Sequence, residues 1–190
     1  MIESRRPGEI RDARTRAASL ALLALDVDGT LTDGHIHISP HGEAFKSFSV
    51  RDGLGLTLLR QAGLIVSIIT ARRSAIVEHR AAELRIQHVL QGVDDKGEAL
   101  AELATREGLA LEHCGFMGDD WPDLSAMVRA GLAAAPADAD PEVRARAHWI
   151  SGSRAGHGAV RELAEFILIA KGARQAALAR RLGTSDREYL

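Results

Sequence analysis

The sequence predicts an α/β protein in which helices cover both faces of a parallel β-sheet. Short apolar runs alternate along the chain with longer segments of helical spacing, which is the pattern of parallel strands joined by helices. The two clearest runs, 20–27 and 64–70, are apolar except for Asp26 in the first and Ser67 and Thr70 in the second, as expected for strands buried on both faces. Acidic residues follow two of the runs, at the sheet edge where such folds bind ligands.

Six strands are predicted from the apolar runs and the turn residues between them. They cover residues 20–27, 64–70, 87–91, 113–117, 132–135 and 148–150. The second, LIVSIIT, is rich in β-branched side chains, which favour strands. A β-hairpin is predicted within 35–50, HIHISPHGEAFKSFSV, with its turn near residues 40–42.

Helices are predicted where apolar residues recur at helical spacing. They cover residues 54–62, 74–84, 96–107, 122–130 and 160–170, and a glycine follows most of them. These elements predict one domain over residues 20–172. The segments outside it, an N-terminal extension over 1–19 and a C-terminal tail over 173–190, could each form a helix.

Composition narrows the class of protein. The 190 residues with 46% apolar content suffice for one core, and a net charge of −2 with interspersed signs offers no broad surface for nucleic acid. A single cysteine, Cys114, excludes an internal disulfide framework and is expected to be buried. No apolar run approaches the roughly 20 residues that span a bilayer. We therefore expect a cytoplasmic protein without nucleic-acid or membrane partners.

The stretch LALDVDGTLTDG places two aspartates, Asp26 and Asp28, at the carboxyl end of the first predicted strand. Thr70 ends the second strand, Lys96 opens a helix, and Asp119 follows the fourth strand. Because the carboxyl ends of parallel strands meet at one edge of the sheet, these residues are predicted to converge. Clustered carboxylates repel one another unless a cation compensates them.

This set of oxygen ligands predicts that the compensating cation is Mg²⁺. Asp26 and Asp119 would supply carboxylates, and the backbone carbonyl of Asp28 could supply a third oxygen. Lys96, the Thr70 hydroxyl and the amides of the 27–29 turn would contact a phosphate.

A phosphate in that position predicts a two-step reaction. Asp26 would attack phosphorus to form an aspartyl phosphate. Asp28 would protonate the leaving alcohol and then deprotonate the hydrolytic water. Taken singly, a DxD pair, a strand-end threonine or a surface lysine more often has a structural role. Their order after the predicted strands is what favours the catalytic interpretation.

The motifs DVDGT (26–30), IIT (68–70), Lys96 and GDD (118–120) resemble those of the haloacid dehalogenase superfamily of phosphotransferases. Longer segments, including IITARRSAIVEHR, LQGVDDKGEAL and MGDDWPDLSAM, are similar to the 3-deoxy-D-manno-octulosonate 8-phosphate (KDO 8-phosphate) phosphatase family. The resemblance implies a Rossmann-like, capless fold with a β-hairpin insertion. It also implies Mg²⁺-dependent hydrolysis of KDO 8-phosphate in lipopolysaccharide precursor biosynthesis, by a homotetramer.

The resemblance assigns roles to individual residues. The implied catalytic residues are Asp26, Asp28, Thr70 and Lys96, and the implied metal ligands are Asp26, Asp28 and Asp119. The implied substrate-binding residues are Asp28, Ser49, Val50, Arg51, Asp52, Gly53, Arg72, Arg80 and Lys96, with Gly29, Asp120 and Asp123 in support. The chain departs from the family pattern at Ala71, where Gly is usual, at Thr57, where some members have Arg, and at Ser49, where Asn is frequent. These departures bear on substrate preference more than on the reaction.

The spacing between motifs leaves no room for a separate cap domain over the site. The predicted hairpin carries apolar residues, among them Ile38 and Phe45, and a two-stranded hairpin is marginal alone. We therefore expect a tetramer with active sites near subunit interfaces, which His157 could approach from a neighbouring chain. The histidines at 35, 37 and 41 are expected at the surface or an interface, and Trp121 and Trp149 in packing roles.

Three alternatives remain open from the sequence. The chain could be an N-acylneuraminate 9-phosphate phosphatase or a less selective sugar phosphatase, because the VRDGLG segment also occurs in sialic-acid relatives. It could instead be a non-catalytic oligomerisation module of the same fold, although the presence of Asp26, Asp28, Lys96 and Asp119 speaks against this. A phosphomutase is disfavoured by the missing cap.

Overall fold

The computed structural model describes residues 7–183, and a six-stranded parallel sheet lies at its centre. The strands are β1 (Leu22–Leu25), β4 (Ile65–Thr70), β5 (His88–Gln91), β6 (Cys114–Met117), β7 (Leu132–Ala135) and β8 (Trp149–Ile150); β2 (His37–Ser39) and β3 (Gly42–Phe45) form a separate hairpin. The sheet order is β5-β4-β1-β6-β7-β8, with every pairing parallel. The predicted fold class and all six predicted strands are confirmed.

The first strand is shorter than predicted because the backbone turns sharply after it. Asp26 still donates its amide to Met117 O at 3.0 Å, but the carbonyl of Val27 then accepts from the amides of Thr30, Leu31 and Thr32. This turn ends the run predicted over 20–27. It directs the DVDGT segment across the carboxyl edge of the sheet.

Helices cover both faces of the sheet, as predicted. They are α1 (Pro7–Ser19), α2 (Val50–Gln61), α3 (Ala75–Glu83), α4 (Lys96–Arg106), α5 (Leu124–Met127), α6 (Pro141–Arg146), α7 (Ala159–Ala170) and α8 (Arg174–Leu182). Along β1, Leu23 and Leu25 pack into the core with α1, α2 and α7. Leu22 and Ala24 point the other way, towards α4 and α6, which follows from the alternation of side chains along a strand.

The prediction of a helix over 122–130 is wrong in its extent. A 3₁₀ turn, Trp121–Asp123, precedes a helix of only four residues, α5. The turn forms because Asp120 and Asp123 cap each other's backbone. The predicted packing role of Trp121 is also wrong, since its ring is largely exposed and its Nε1 donates to Asp140. Trp149 does pack, with its ring stacked on Phe166 at 5.5 Å.

Helix α2 begins four residues before the predicted start at 54. Ser49 caps it by accepting a hydrogen bond from the amide of Asp52. Gly55 lies against α7, where a Cβ atom would stand 3.1 Å from the Cβ of Ala164. The glycine therefore lets α2 and α7 pack closely, but it also interrupts the apolar spacing from which the start of the helix would be recognised.

The hairpin and the chain ends complete the fold. The hairpin is confirmed, with His37 opposite Phe45 in its register and their rings stacked at 4.0 Å. Within the predicted terminal segments, Ala13 and Ala17 of α1 and Ala179 of α8 are buried. Residues 1–6 and 184–190 of these segments lie outside the described residues. No helix among the described residues is long and apolar enough to cross a membrane.

Asp52 joins α2 to α7 through a buried carboxylate. Its Oδ1 accepts from the amide of Arg161 at 2.7 Å, and its Oδ2 accepts from the amide of Gly158 at 3.2 Å. The two acceptors satisfy amides at the start of α7, which have no partners within the helix. Burial raises the pKa of Asp52, against the opposing effect of these hydrogen bonds.

We predict that Asp52→Ala lowers the free energy of unfolding by about 1–3 kcal/mol, because amides at a buried helix start lose their acceptors. Urea denaturation followed by circular dichroism measures the change. Arg146→Ala is the matched control, since it removes an exposed i,i+4 ion pair with Glu142 and should change stability by less than about 0.5 kcal/mol. Equal effects of the two substitutions would contradict the capping role.

Candidate active site

An open pocket lies at the carboxyl ends of β1, β4 and β6. It is lined by Asp26, Asp28, Thr70, Ala71, Arg72, Lys96, Asp119, Asp120, Pro122 and Asp123. The structure therefore brings together the catalytic and metal-binding residues that the sequence indicated. Each comes from a strand end or the start of the following segment, so the parallel sheet determines their convergence.

Lys96 is the buried cation of this pocket. It is the first residue of α4, whose N-cap Asp95 accepts from the amides of Gly97 and Glu98. The Lys96 Nζ lies 2.8 Å from Asp26 Oδ1 and 2.6 Å from Asp123 Oδ1. Burial opposes the charged form of Lys96, but the two carboxylates outweigh it and raise its pKa. Lys96 is therefore held as a cation between two acids.

Asp119 is held against the turn that carries Asp26. Its Oδ1 accepts from the Thr30 hydroxyl at 2.8 Å. Gly29 has a φ of +91°, and a Cβ atom there would stand 2.1 Å from Asp119 Oδ2. Glycine is needed at position 29 both for this backbone conformation and for the close approach of the carboxylate.

The Asp123 side chain holds the backbone of the GDD segment (118–120) in place. Its Oδ2 accepts from the amides of Asp119 and Asp120 at 2.8 and 3.2 Å, while its Oδ1 accepts from Lys96. Both oxygens of Asp123 therefore have partners within the protein. The supporting role predicted for Asp123 stays a prediction, and it would act through these contacts.

Three carboxylates, Asp26, Asp119 and Asp123, each offer an oxygen within 4.8 Å of the others. Because Asp123 is engaged by Lys96 and two amides, Asp26 and Asp119 are the better placed metal ligands. Asp26 Oδ1 is buried and accepts no hydrogen bond of good geometry, although Lys96 lies beside it. A pair of hard carboxylates, one of them with a buried oxygen that lacks a hydrogen bond, fits Mg²⁺. The Asp28 carboxylate lies outside this cluster, and its predicted role as a metal ligand stays a prediction.

The cluster holds more negative charge than its single lysine compensates. Burial and, to a smaller degree, the nearby charge of Asp123 together raise the pKa of Asp119 to about 8, against the opposing effect of the hydrogen bond from Thr30. Burial likewise raises the pKa of Asp26 to about 6, with Asp123 adding to the effect and Lys96 opposing it. A divalent cation would relieve the repulsion that these shifts express.

The predicted substrate-binding residues divide into two groups in the structure. Arg72 lines the pocket, with its Nε 3.5 Å from Asp28 Oδ2. The segment 49–53 and Arg80 do not line the pocket of a single chain. The guanidinium of Arg80 lies 5.7 Å from the centre of the Phe48 ring and donates to Ser49 O. A substrate contact by the Asp52 carboxylate would require its cap on α7 to break.

Two charged residues beside the pocket were missed from the sequence. Lys46, directly after β3, contacts Asp28 and Glu43, and the Ser74 hydroxyl donates to Glu43. The Lys46 side chain is only 1% exposed, whereas neighbouring Phe45 is 52% exposed. The usual hydrophobic pattern is inverted here, so alternation along the strand could not have identified Lys46.

Comparison with known proteins agrees with this geometry. A family model described as a haloacid dehalogenase-like hydrolase matches residues 87–163. The 3-deoxy-D-manno-octulosonate 8-phosphate phosphatase KdsC of Escherichia coli K12 is 40% identical over 161 residues, which cover 85% of this chain and 86% of the relative. The enzyme of the same name from Yersinia pestis is 41% identical over 160 residues, which cover 84% of this chain and 86% of the relative.

Solved structures support the same relationship. The 3-deoxy-D-manno-octulosonate 8-phosphate phosphatase of Moraxella catarrhalis, crystallised with magnesium, phosphate and KDO, superposes with a TM-score of 0.87 at 43% identity. That match covers 90% of this chain and 98% of the other. The cobalt-bound phosphatase of Haemophilus influenzae superposes with a TM-score of 0.83 at 36% identity, covering 85% of this chain and 94% of the other.

We predict that metal-free protein loses stability between about pH 4 and pH 8 through Asp119. A folded-state pKa of about 8 means that folded Asp119 retains a proton that the unfolded chain has released. Raising the pH therefore favours the unfolded chain. The measurement is the melting temperature against pH, taken as the difference between the protein and Asp119→Asn, which cancels the contribution of distant groups.

Mg²⁺ supplies the second half of that test. Because the cation competes with the proton on Asp119, it should raise the melting temperature more at pH 8 than at pH 6. The same addition should have little effect on Asp119→Asn. A Mg²⁺ response that is equal in both proteins would show that Asp119 is not a ligand.

Proposed function

The chain belongs to the 3-deoxy-D-manno-octulosonate 8-phosphate phosphatase family of haloacid dehalogenase-like hydrolases, and on that premise we propose that it hydrolyses KDO 8-phosphate to KDO and phosphate. It is a phosphoric monoester hydrolase, with Mg²⁺ as its cofactor and lipopolysaccharide precursor biosynthesis as its pathway. The observation that carries the proposal is the complete set of Asp26, Asp28, Lys96 and Asp119 around one pocket. A reducing cytoplasm is the proposed compartment and fits the free thiol of buried Cys114.

In the first step, a carboxylate oxygen of Asp26 bonds to phosphorus while the bond from phosphorus to the sugar oxygen breaks. Asp28 gives its proton to the departing oxygen, so the sugar leaves as an alcohol. In the second step, water attacks the aspartyl phosphate and its proton passes to Asp28. The bond between phosphorus and Asp26 then breaks, which releases phosphate and restores both aspartates.

Three further groups support these steps. Asp26 and Asp119 would hold Mg²⁺, which when bound neutralises charge on the phosphoryl group. Lys96, fixed by Asp26 and Asp123, contributes the positive charge of the protein itself to the same phosphoryl oxygens. The Thr70 hydroxyl, at the end of β4 in the pocket wall, would donate to one of them.

The sugar portion of the substrate requires surface that one pocket does not supply. Arg72, one of the predicted substrate-binding residues, lines the same pocket as Asp26, and its side chain is half exposed. Ser49, Val50, Arg51, Arg80 and His157 would complete the site from a neighbouring subunit in a homotetramer. Buried Asp52 and Gly53 would serve the site by supporting α2 against its neighbours. The exposed apolar side chains of Ile38 (77%), Phe45 (52%) and Val50 (80%) support burial of this region between copies.

We predict Mg²⁺-dependent phosphate release that is much more efficient with KDO 8-phosphate than with N-acetylneuraminate 9-phosphate or simple sugar phosphates. Chelation should abolish it, because Asp26 and Asp119 lose the cation that compensates them. Phosphate release in a coupled assay measures the kcat/KM ratio for each substrate. Equal turnover of all substrates would retain the reaction but reject the pathway.

Asp26→Asn is the control for that panel. It removes the proposed nucleophile with little change in size, and it should lower kcat by at least about 10³-fold. The variant should still melt cooperatively. Unaltered activity in Asp26→Asn would contradict the aspartyl-phosphate mechanism, and inactivity of the parent protein on every substrate would favour the oligomerisation-module alternative.

We predict that Ile38→Asp shifts the protein from a tetramer towards single chains and reduces activity on KDO 8-phosphate. A charge at an apolar contact between copies would be buried without a partner. Light scattering after gel filtration measures the mass. Val128→Asp is the matched control, because Val128 is 67% exposed on the segment after α5; a single-chain mass for the unsubstituted protein would reject the tetramer.

A further inference from the structure

A second group of charges lies beside the catalytic cluster and links the hairpin to Asp28. The Lys46 ammonium contacts Asp28 Oδ1 and lies 2.9 Å from Glu43 Oε1. Arg72 closes the group, at 3.5 Å from Asp28 Oδ2 and 3.9 Å from Glu43 Oε1. Two acids therefore alternate with two bases.

The hairpin is attached to the catalytic domain through this group. Glu43 accepts a hydrogen bond from the Ser74 hydroxyl, and Ser74 is the N-cap of α3. The Lys46 side chain is only 1% exposed, so water cannot replace the carboxylates as partners of its ammonium group. A buried lysine of this kind is stable only while both acids remain in place.

The contacts distinguish the two oxygens of Asp28. Oδ1 accepts a hydrogen bond from Lys46. Among the described residues Oδ2 has only the longer ion-pair contact with Arg72, and Asp28 lines the pocket. One oxygen is therefore held and the other remains available to a group bound there.

We propose that Lys46 is a positioning residue for the reaction, which together with Glu43 holds Asp28 so that Oδ2 faces the oxygen of the leaving alcohol. The inference rests on the proposed phosphatase function. Lys46 itself touches neither substrate nor phosphorus. It acts by fixing the side-chain rotamer of the residue that transfers the proton, where a displacement of about 1 Å can cost about 10²-fold in rate.

A merely structural role for Lys46 makes a different prediction. If Lys46 only anchors the hairpin, its loss would weaken substrate binding or stability without regard to the leaving group. If it positions Asp28, its loss would slow only those steps in which Asp28 gives or takes a proton. The leaving group separates these cases, because nitrophenolate departs without a proton and a sugar alkoxide does not.

The test compares Lys46→Met on KDO 8-phosphate and on p-nitrophenyl phosphate by rapid mixing. With the sugar ester, kcat should fall by about 10²-fold, with KM changed much less and no burst of product. With the aryl ester, nitrophenol should appear in a burst of one equivalent per site at nearly the parent rate. Turnover should then be slow, because hydrolysis of the aspartyl phosphate still requires Asp28.

The outcomes separate the inference from the proposed function. If the parent protein hydrolyses neither ester, the proposed function fails. If the parent is active and Lys46→Met loses the same factor on both esters without a burst, or loses nothing, the positioning role is rejected.

Two further variants keep the test decisive. In a double-mutant cycle, Lys46→Met should cost nothing more once Asp28→Asn is present, and additive losses would overturn the inference. If Lys46→Met does not fold, Lys46→Arg and Glu43→Gln replace it: arginine should restore most of kcat, and Glu43→Gln should reproduce the loss in a weaker form with the same difference between esters. Arg154→Met, which breaks an exposed ion pair with Asp138, serves as the unaffected control.

Discussion

The constraint on which the site depends is the negative charge that the fold gathers at one edge of the sheet. Asp26, Asp119 and Asp123 approach within 4.8 Å of one another, and Lys96 alone among the described residues pairs with two of them. Burial deprives the carboxylates of water that would screen them. Without a bound ion, the protein therefore keeps three carboxylates beside a single lysine, an arrangement that suits a divalent cation and a phosphate.

The backbone has to hold these acids together against their repulsion. At Gly118 a Cβ atom would stand 2.3 Å from Asp123 Cγ, and at Gly29 it would overlap Asp119 in the same way. The amides of Asp119 and Asp120 bind Asp123. Rigid main-chain contacts thus replace the solvent, so that little reorganisation is needed when phosphate binds.

The two aspartates of the DVD segment belong to different electrostatic groups. Asp26 pairs with Lys96 within the buried cluster, whereas Asp28 pairs with Lys46 from the hairpin and faces Arg72. Their side chains reach different partners because Asp26 still lies at the end of the strand, whereas Asp28 lies in the turn that follows it. This division explains how two neighbouring carboxylates can coexist, and it assigns nucleophilic attack and proton transfer to separate surroundings.

The sequence by itself determined the parallel sheet and the convergence of Asp26, Asp28, Thr70, Lys96 and Asp119, because apolar runs and strand ends are local features. Tertiary contacts decided the rest. The short turn at Trp121–Asp123 replaced the start of the helix predicted over 122–130, because the Asp123 side chain turns inward to amides and to Lys96. Lys46 escaped notice because its burial depends on Asp28, a carboxylate 18 residues earlier in the chain, as well as on nearby Glu43, and the apolar periodicity of a strand carries no information about charge partners.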